Sequence, residues 1–233
     1  MKKFFTLIAA VAMAASVNAQ GTYAVAVGDN VKAGDQISSV NNVTLTYCEN
    51  AGTAFAVGKK TTNWADADFG AYVCGKNSGK LVSGAAPTGC VYKFDTKVAG
   101  TLTVAVQLNA DKGFHVLGSD FAEVALASYN LPAAKDGTSQ EFTQNDKGEN
   151  IVAVKSNGTV TINAVAGGTY YVLAAGTKLG FYGFKFTSGT SGILNINASE
   201  AANEGATFNL LGQKVASNAK GLVIKNGKKF INK

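Results

Sequence analysis

Thr101-Leu102-Thr103-Val104-Ala105-Val106-Gln107-Leu108 is the stretch that decides the fold. Leu102, Val104, Val106 and Leu108 alternate with Thr101, Thr103, Ala105 and Gln107, and a period of two sends alternate side chains to opposite faces of a strand. One face therefore packs on a core and the other meets water, as in an antiparallel sheet. Val160 and Ile162 set against Thr159, Thr161 and Asn163 repeat the pattern. Working outward, further runs rich in Val, Thr, Tyr and Phe lie at 22–27, 42–47, 71–74, 90–94, 114–117, 151–154, 169–174 and 181–186, separated by Gly, Asn and Asp clusters. That is strand punctuation. The 27 glycines and only 2 prolines suit tight turns. Residues 121–129 alone read as a short helix. Many short strands without a strand–helix–strand rhythm predict an all-β protein, an antiparallel β-sandwich of jelly-roll type over residues 20–188.

The chain ends read differently from this middle. Lys2 and Lys3 precede the apolar run 4–15, and Val17-Asn18-Ala19 supplies small residues at a cleavage position. Residues 1–19 thus have the three parts of a secretory signal peptide. The apolar run is too short to span a bilayer, and no later window is long enough either. The expectation is a protein that does not span the membrane, exported by Sec and then secreted or held at the outer-membrane surface. Residues 189–206, rich in Gly, Ser, Asn and Ala, read as a linker. Residues 207–233 read as a small C-terminal β-hairpin appendage, because Asn226-Gly227 between two β-prone runs signals a two-residue turn that sets Lys225 opposite Lys228. Like charges placed there oppose the hairpin.

Charge and composition exclude several functions. The net charge is +6, yet the excess Lys lies at the two ends, and residues 20–188 are balanced. Every basic residue is Lys, so the planar guanidinium fork that grips phosphates and guanine edges is missing, which argues against nucleic acid. Cys48, Cys74 and Cys90 allow one disulfide in an oxidising compartment and leave one thiol over; spacing does not choose the pair. No C-x-x-C occurs and His115 is the only histidine, so no resident metal or other cofactor is expected.

Recognition of a sugar needs aromatic faces and a few polar groups. Asn63-Trp64-Ala65-Asp66-Ala67-Asp68-Phe69 offers the only Trp, two carboxylates and a Phe in one apparent loop, which makes Trp64, Asp66, Asp68 and Phe69 candidate ligand-binding residues. The competing reading puts Trp64 and Phe69 in the core beneath the loop. Asp66 and Asp68 at alternate positions could also hold a structural Ca²⁺, although no third ligand at fixed spacing accompanies them. In Phe181-Tyr182-Gly183-Phe184-Lys185-Phe186, strict alternation assigns Tyr182, Phe184 and Phe186 to the core and leaves Phe181 as an exposed platform. Tyr170 and Tyr171 must likewise face opposite ways. His115 sits inside an apolar strand and reads as a structural histidine, no serine lies in a G-x-S-x-G, and Gly70 to Asn77 only approximates a phosphate loop, so no catalytic residue is assigned.

Two resemblances add to this. Phe208-Asn209-Leu210-Leu211-Gly212-Gln213-Lys214-Val215, then Lys220-Gly221-Leu222-Val223-Ile224 and Lys228-Lys229, resemble the C-terminal sorting domain of the type IX secretion system, which implies secretion machinery as a partner of the tail. Gly89-Cys90-Val91-Tyr92-Lys93-Phe94, Gly100 to Val104, Gly167-Gly168-Thr169-Tyr170-Tyr171-Val172 and 176–184 resemble the β-sandwich domains attached to secreted polysaccharide lyases. Such modules resemble carbohydrate-binding domains, so the resemblance implies a polysaccharide or envelope glycan as ligand. The expected function is a non-catalytic, secreted or surface-displayed glycan-binding protein. The alternatives are a structural or adhesive surface protein that binds other proteins and, third, a polysaccharide-degrading enzyme.

Overall fold

A computed structural model describes residues 20–49, 54–56, 58–60, 68–133 and 139–189, together with strand segments 207–208, 214–215, 221–225 and 228–232. The leader at 1–19, Trp64, Asp66 and nearly all of the linker lie outside the described residues. The chain divides into two compact units, 1–190 and 191–233. In chain order the first carries β1 (Gln20–Ala24), β2 (Gln36–Val40), β3 (Val43–Cys48), β4 (Lys59–Lys60), β5 (Ala71–Tyr72), β6 (Lys80–Val82), β7 (Ala85–Thr88), β8 (Val91–Thr96), β9 (Gly100–Leu108), β10 (Phe114–Leu117), β11 (Ser128–Ala133), β12 (Thr143–Gln144), β13 (Asn150–Ile151), β14 (Ser156–Ala164), β15 (Thr169–Ala174) and β16 (Gly180–Ser188). No helix occurs among the described residues.

Two antiparallel sheets face each other across one core. A five-stranded sheet runs β1-β16-β9-β14-β11 and a seven-stranded sheet runs β12-β13-β10-β15-β8-β3-β2. The chain passes back and forth between them, so β8, β10 and β15 lie in one sheet while β9, β14 and β16 lie in the other. Alternation in β9 does what its sequence demands: Leu102, Val104, Val106 and Leu108 are buried in the shared core, where they meet Leu45, Tyr92, Phe94, Val116 and Val172 from the opposite sheet. Each large apolar side chain so buried contributes about 1.5–3 kcal/mol. Lys80–Val82 pairs with Ala85–Thr88, and Lys59–Lys60 with Ala71–Tyr72, as two small hairpin-like sheets beside the main ones.

Strand β16 departs from strict alternation, and this corrects the expectation for Phe181. Its register against β9 shifts between Phe181, opposite Val106, and Gly183, opposite Ala105. The extra residue of this bulge is Tyr182. Phe181, Phe184 and Phe186 consequently all enter the main core, and Tyr182 turns to the other face to pack with Phe69 and Ala105. A bulge re-aims a side chain in just this way. Gly183 permits it: φ is +144°, and a Cβ there would sit 2.1 Å from the Tyr23 carbonyl oxygen of β1.

Residues 121–127 are not helical. Val124 N donates to Val116 O, and Glu123 bridges to Leu117, so the segment runs as an extended flank of β10 before entering β11. The apolar spacing that suggested a helix instead packs Val124 and Leu126 partly against the sandwich core.

The second unit is a four-stranded antiparallel sheet, ordered β18 (Lys214–Val215), β17 (Thr207–Phe208), β19 (Gly221–Lys225) and β20 (Lys228–Asn232). Backbone register sets Lys225 opposite Lys228, as a two-residue connection requires.

Candidate functional site at strand β10

Of the residues that sequence singled out for binding, Asp68, Phe69 and Phe181 are among the described residues, and the two aromatics are closed off. Phe181 is fully buried and stacks on Tyr92 with ring centroids 4.5 Å apart, so it offers no platform. Phe69 is also fully buried, against Tyr182 on the outward side of the five-stranded sheet. Asp68 is exposed and pairs with Lys185 Nζ at 2.6 Å, and that same Nζ lies 5.1 Å from the centre of the Phe69 ring. The carboxylate and the aromatic are thus engaged with one lysine of this chain. Of the two tyrosines in β15, Tyr170 is buried in the core and its hydroxyl accepts from Val165 N, whereas Tyr171 is half-buried beside Phe121.

The cysteines are free thiols, and the one disulfide that the sequence allows is not made. Cys48 lies opposite Val91 on the outer face of the seven-stranded sheet, while Cys90 points into the core, where Gly75 N donates to its sulfur at 3.1 Å. A sheet separates these two sulfurs, which excludes a bridge between them. Burial raises the thiol pKa of both Cys48 and Cys90, which makes each a weak nucleophile.

A different residue stands out once the sandwich is assembled. β10 is bordered along one side by two short neighbours: Asn150 of β13 pairs with Phe114, and Glu123 bridges to Leu117. Between these two contacts the border of β10 opens as a groove of about 510 Å³. Leu81, Phe114, Val124 and Leu126 supply its apolar lining, and Gln144, Lys147 and Asn150 add polar groups. His115, Glu123 and Glu149 also line it.

Strand alternation puts His115 on the face of β10 opposite Phe114 and Val116, and its side chain is only 4% exposed. Its Nδ1 is bonded to Glu123 Oε1. A carboxylate only accepts, so the ring donates from Nδ1, and in the neutral tautomer Nε2 presents a lone pair. That Nε2 is buried without a hydrogen-bond partner. It faces Glu149 Oε1 at 3.5 Å, a separation outside hydrogen-bond range. Glu149 Oε2 is already held by Asn145 Nδ2 at 2.7 Å, and Asn145 Oδ1 accepts from the Glu149 and Lys147 amides, so the β12–β13 turn fixes the carboxylate in place.

His115 thus stands between two carboxylates, Glu123 and Glu149, the latter fixed by the β12–β13 turn. Buried polar atoms in folded proteins are nearly always satisfied, so an exception singles this spot out. The sequence presents His115 as a structural strand histidine, and the one local signal of a polar cluster is a polar residue within the otherwise apolar run of β10. Glu123 and Glu149 lie 8 and 34 residues away along the chain, and no spacing rule joins them. Among the described residues no group of three His, Cys, Asp or Glu side chains could hold a metal ion. No helix among them is long and apolar enough to cross a membrane. Comparison with protein-family models gives no match, and no curated protein matches the chain.

Proposed function

We propose that this protein is a non-catalytic glycan-binding β-sandwich of jelly-roll type, exported from the cytoplasm, with its ligand site in the β10 groove. The observation that carries the proposal is the groove of about 510 Å³, which sets apolar side chains beside Gln144, Asn150 and the fixed carboxylate of Glu149. Small-ligand sites are commonly 300–1,000 Å³ and combine apolar walls with a few fixed polar groups. A sugar ring has that same division of character. Its C–H face suits Leu81, Val124 and Leu126, and its hydroxyls suit Glu149, Gln144 and Asn150.

The groove has a histidine oriented by a carboxylate and no Ser, Thr or Cys, so its lining lacks the pairing of a histidine base with a hydroxyl or thiol nucleophile. Export is supported by the three-part leader at 1–19, and delivery by a type IX route by the order of the sequence blocks in the C-terminal unit. Affinity electrophoresis of the full chain through gels containing plant, microbial and host polysaccharides tests the proposal. Retardation by at least one glycan is the expected result, and unchanged mobility in all of them overturns it.

A further inference from the structure

One aromatic of the 121–127 flank is held in a strained conformation. Phe121 has a φ of +62°, a left-handed backbone that a bulky side chain rarely adopts and that glycine takes without strain. Phe121 N donates to Gly118 O and Gly118 N to Ala122 O, which closes the turn around it. Core packing does not account for the ring. Val124 and Leu126 of the same flank pack against the sandwich core, whereas among the described residues Phe121 joins neither that core nor the outer cluster of Val91, Leu117 and Leu173. Its ring centre lies instead 5.8 Å from that of Tyr171, with the planes tilted by 48°, and both side chains are half-buried. Strained backbone of this kind clusters at functional positions.

We propose, on the basis of the glycan-binding function above, that Phe121 and Tyr171 form an aromatic platform that continues the β10 groove, so that the protein takes a segment of a glycan chain and not a lone sugar. Continuity comes from the register. Tyr171, Leu117 and Glu123 lie side by side on β15, β10 and the flank, and Glu123 lines the groove. Leu117 and Tyr171 belong to the outer face of the seven-stranded sheet, as does His115, to which Glu123 is bonded. Neighbouring strands are about 4.8 Å apart, so the platform stands about 10 Å from Glu123 along one face, a span that calls for more than one sugar ring. The aromatic faces suit the C–H side of a pyranose. Lys93, opposite Tyr171 on β8 and paired with Asp95 at 3.0 Å, supplies polar groups for hydroxyls next to the rings.

The test runs the full chain, Phe121→Leu and Phe121→Gly through gels containing xylan, mannan, mixed-linkage glucan, polygalacturonate or chondroitin sulfate, with circular dichroism of each variant as the check on folding. Phe121→Leu keeps apolar bulk and loses the aromatic face, and Phe121→Gly removes the ring while relieving the backbone. Each should weaken binding to the retarding glycan about 10-fold, the upper worth of an aromatic contact. Phe121→Leu serves as the test should Phe121→Gly fail to fold. Monosaccharides from that glycan should compete far less well than its oligosaccharides. Retardation of both variants equal to that of the unaltered chain, or a monosaccharide that competes as well as an oligosaccharide, overturns the platform and leaves glycan binding standing. Absence of retardation of the unaltered chain by every probe overturns both.

Discussion

Two neighbouring rows of side chains cross the seven-stranded sheet on opposite faces, and they treat their polar groups differently. On the inner face Val116, Val172, Tyr92 and Tyr47 lie in register; on the outer face His115, Leu173, Val91 and Cys48 do. Both rows are buried for most of their length. In the inner row, Tyr92 Oη donates to Leu179 O at 2.8 Å, and the Tyr47 and Tyr23 hydroxyls bond to each other at 3.0 Å. In the outer row, His115 keeps one nitrogen without a partner. The difference follows from what lies beyond each row. The inner row is sealed by the opposite sheet, so an unsatisfied atom there would bear its full desolvation cost. The outer row ends at His115 of β10, which borders the groove and stands between two carboxylates.

Alkali should break the inner row with the largest effect. Burial pushes the Tyr47, Tyr92 and Cys90 pKa values up, so folding favours their protonated forms. Below the unfolded values both states keep these protons and no stability is lost. Above them the unfolded chain releases protons first, so stability falls with rising pH. The decline should begin near pH 9 and reach about 1.4 kcal/mol per unit for each buried hydroxyl above about pH 10. Urea-unfolding midpoints between pH 8 and 11 measure it, and a flat profile would mean that these hydroxyls are not sealed in.

Tyr92→Phe comes next. It removes the hydroxyl that donates to Leu179 O and leaves that carbonyl with only the weak Cys90 thiol donor at 3.5 Å, at an expected cost of about 1–3 kcal/mol. Chemical denaturation at pH 7 should show the loss, and the alkaline decline should become shallower in the same variant. The smallest effect on stability belongs to His115→Leu. The substitution removes an unsatisfied buried nitrogen and frees the half-exposed Glu123, so the change should stay within about 1 kcal/mol in either direction. A loss as large as that of Tyr92→Phe would show that His115 is a structural member of the outer row and that the two rows do not differ.

Much of the sandwich was legible in the chain, because the period of two in β9 and β14 is a local property that burial simply enforces. β10 and β15 also coincide with their sequence boundaries, 114–117 and 169–174. Where local pattern misled, a non-local contact intervened. Phe181 and Tyr182 exchanged faces because Gly183 lets β1 approach closely enough to force a bulge, and nothing within the hexapeptide states that β1 will be there. Residues 121–127 have apolar spacing that suits either a helix or an extended flank, and the hydrogen bond from Val124 to Val116 selects the flank. Asp68 and Phe69 had the composition of a sugar site, yet Lys185 and Tyr182 had already claimed them.

By itself the sequence determined the all-β class, the antiparallel pairing and the Lys225–Lys228 hairpin register, since each depends on alternation or turn chemistry within a few residues. Only the tertiary structure decided which polar atom is left wanting. Hydrogen-bond satisfaction is a property of atoms brought together from β10, the 121–127 flank and the β12–β13 turn, and no one of these segments encodes the position of the other two.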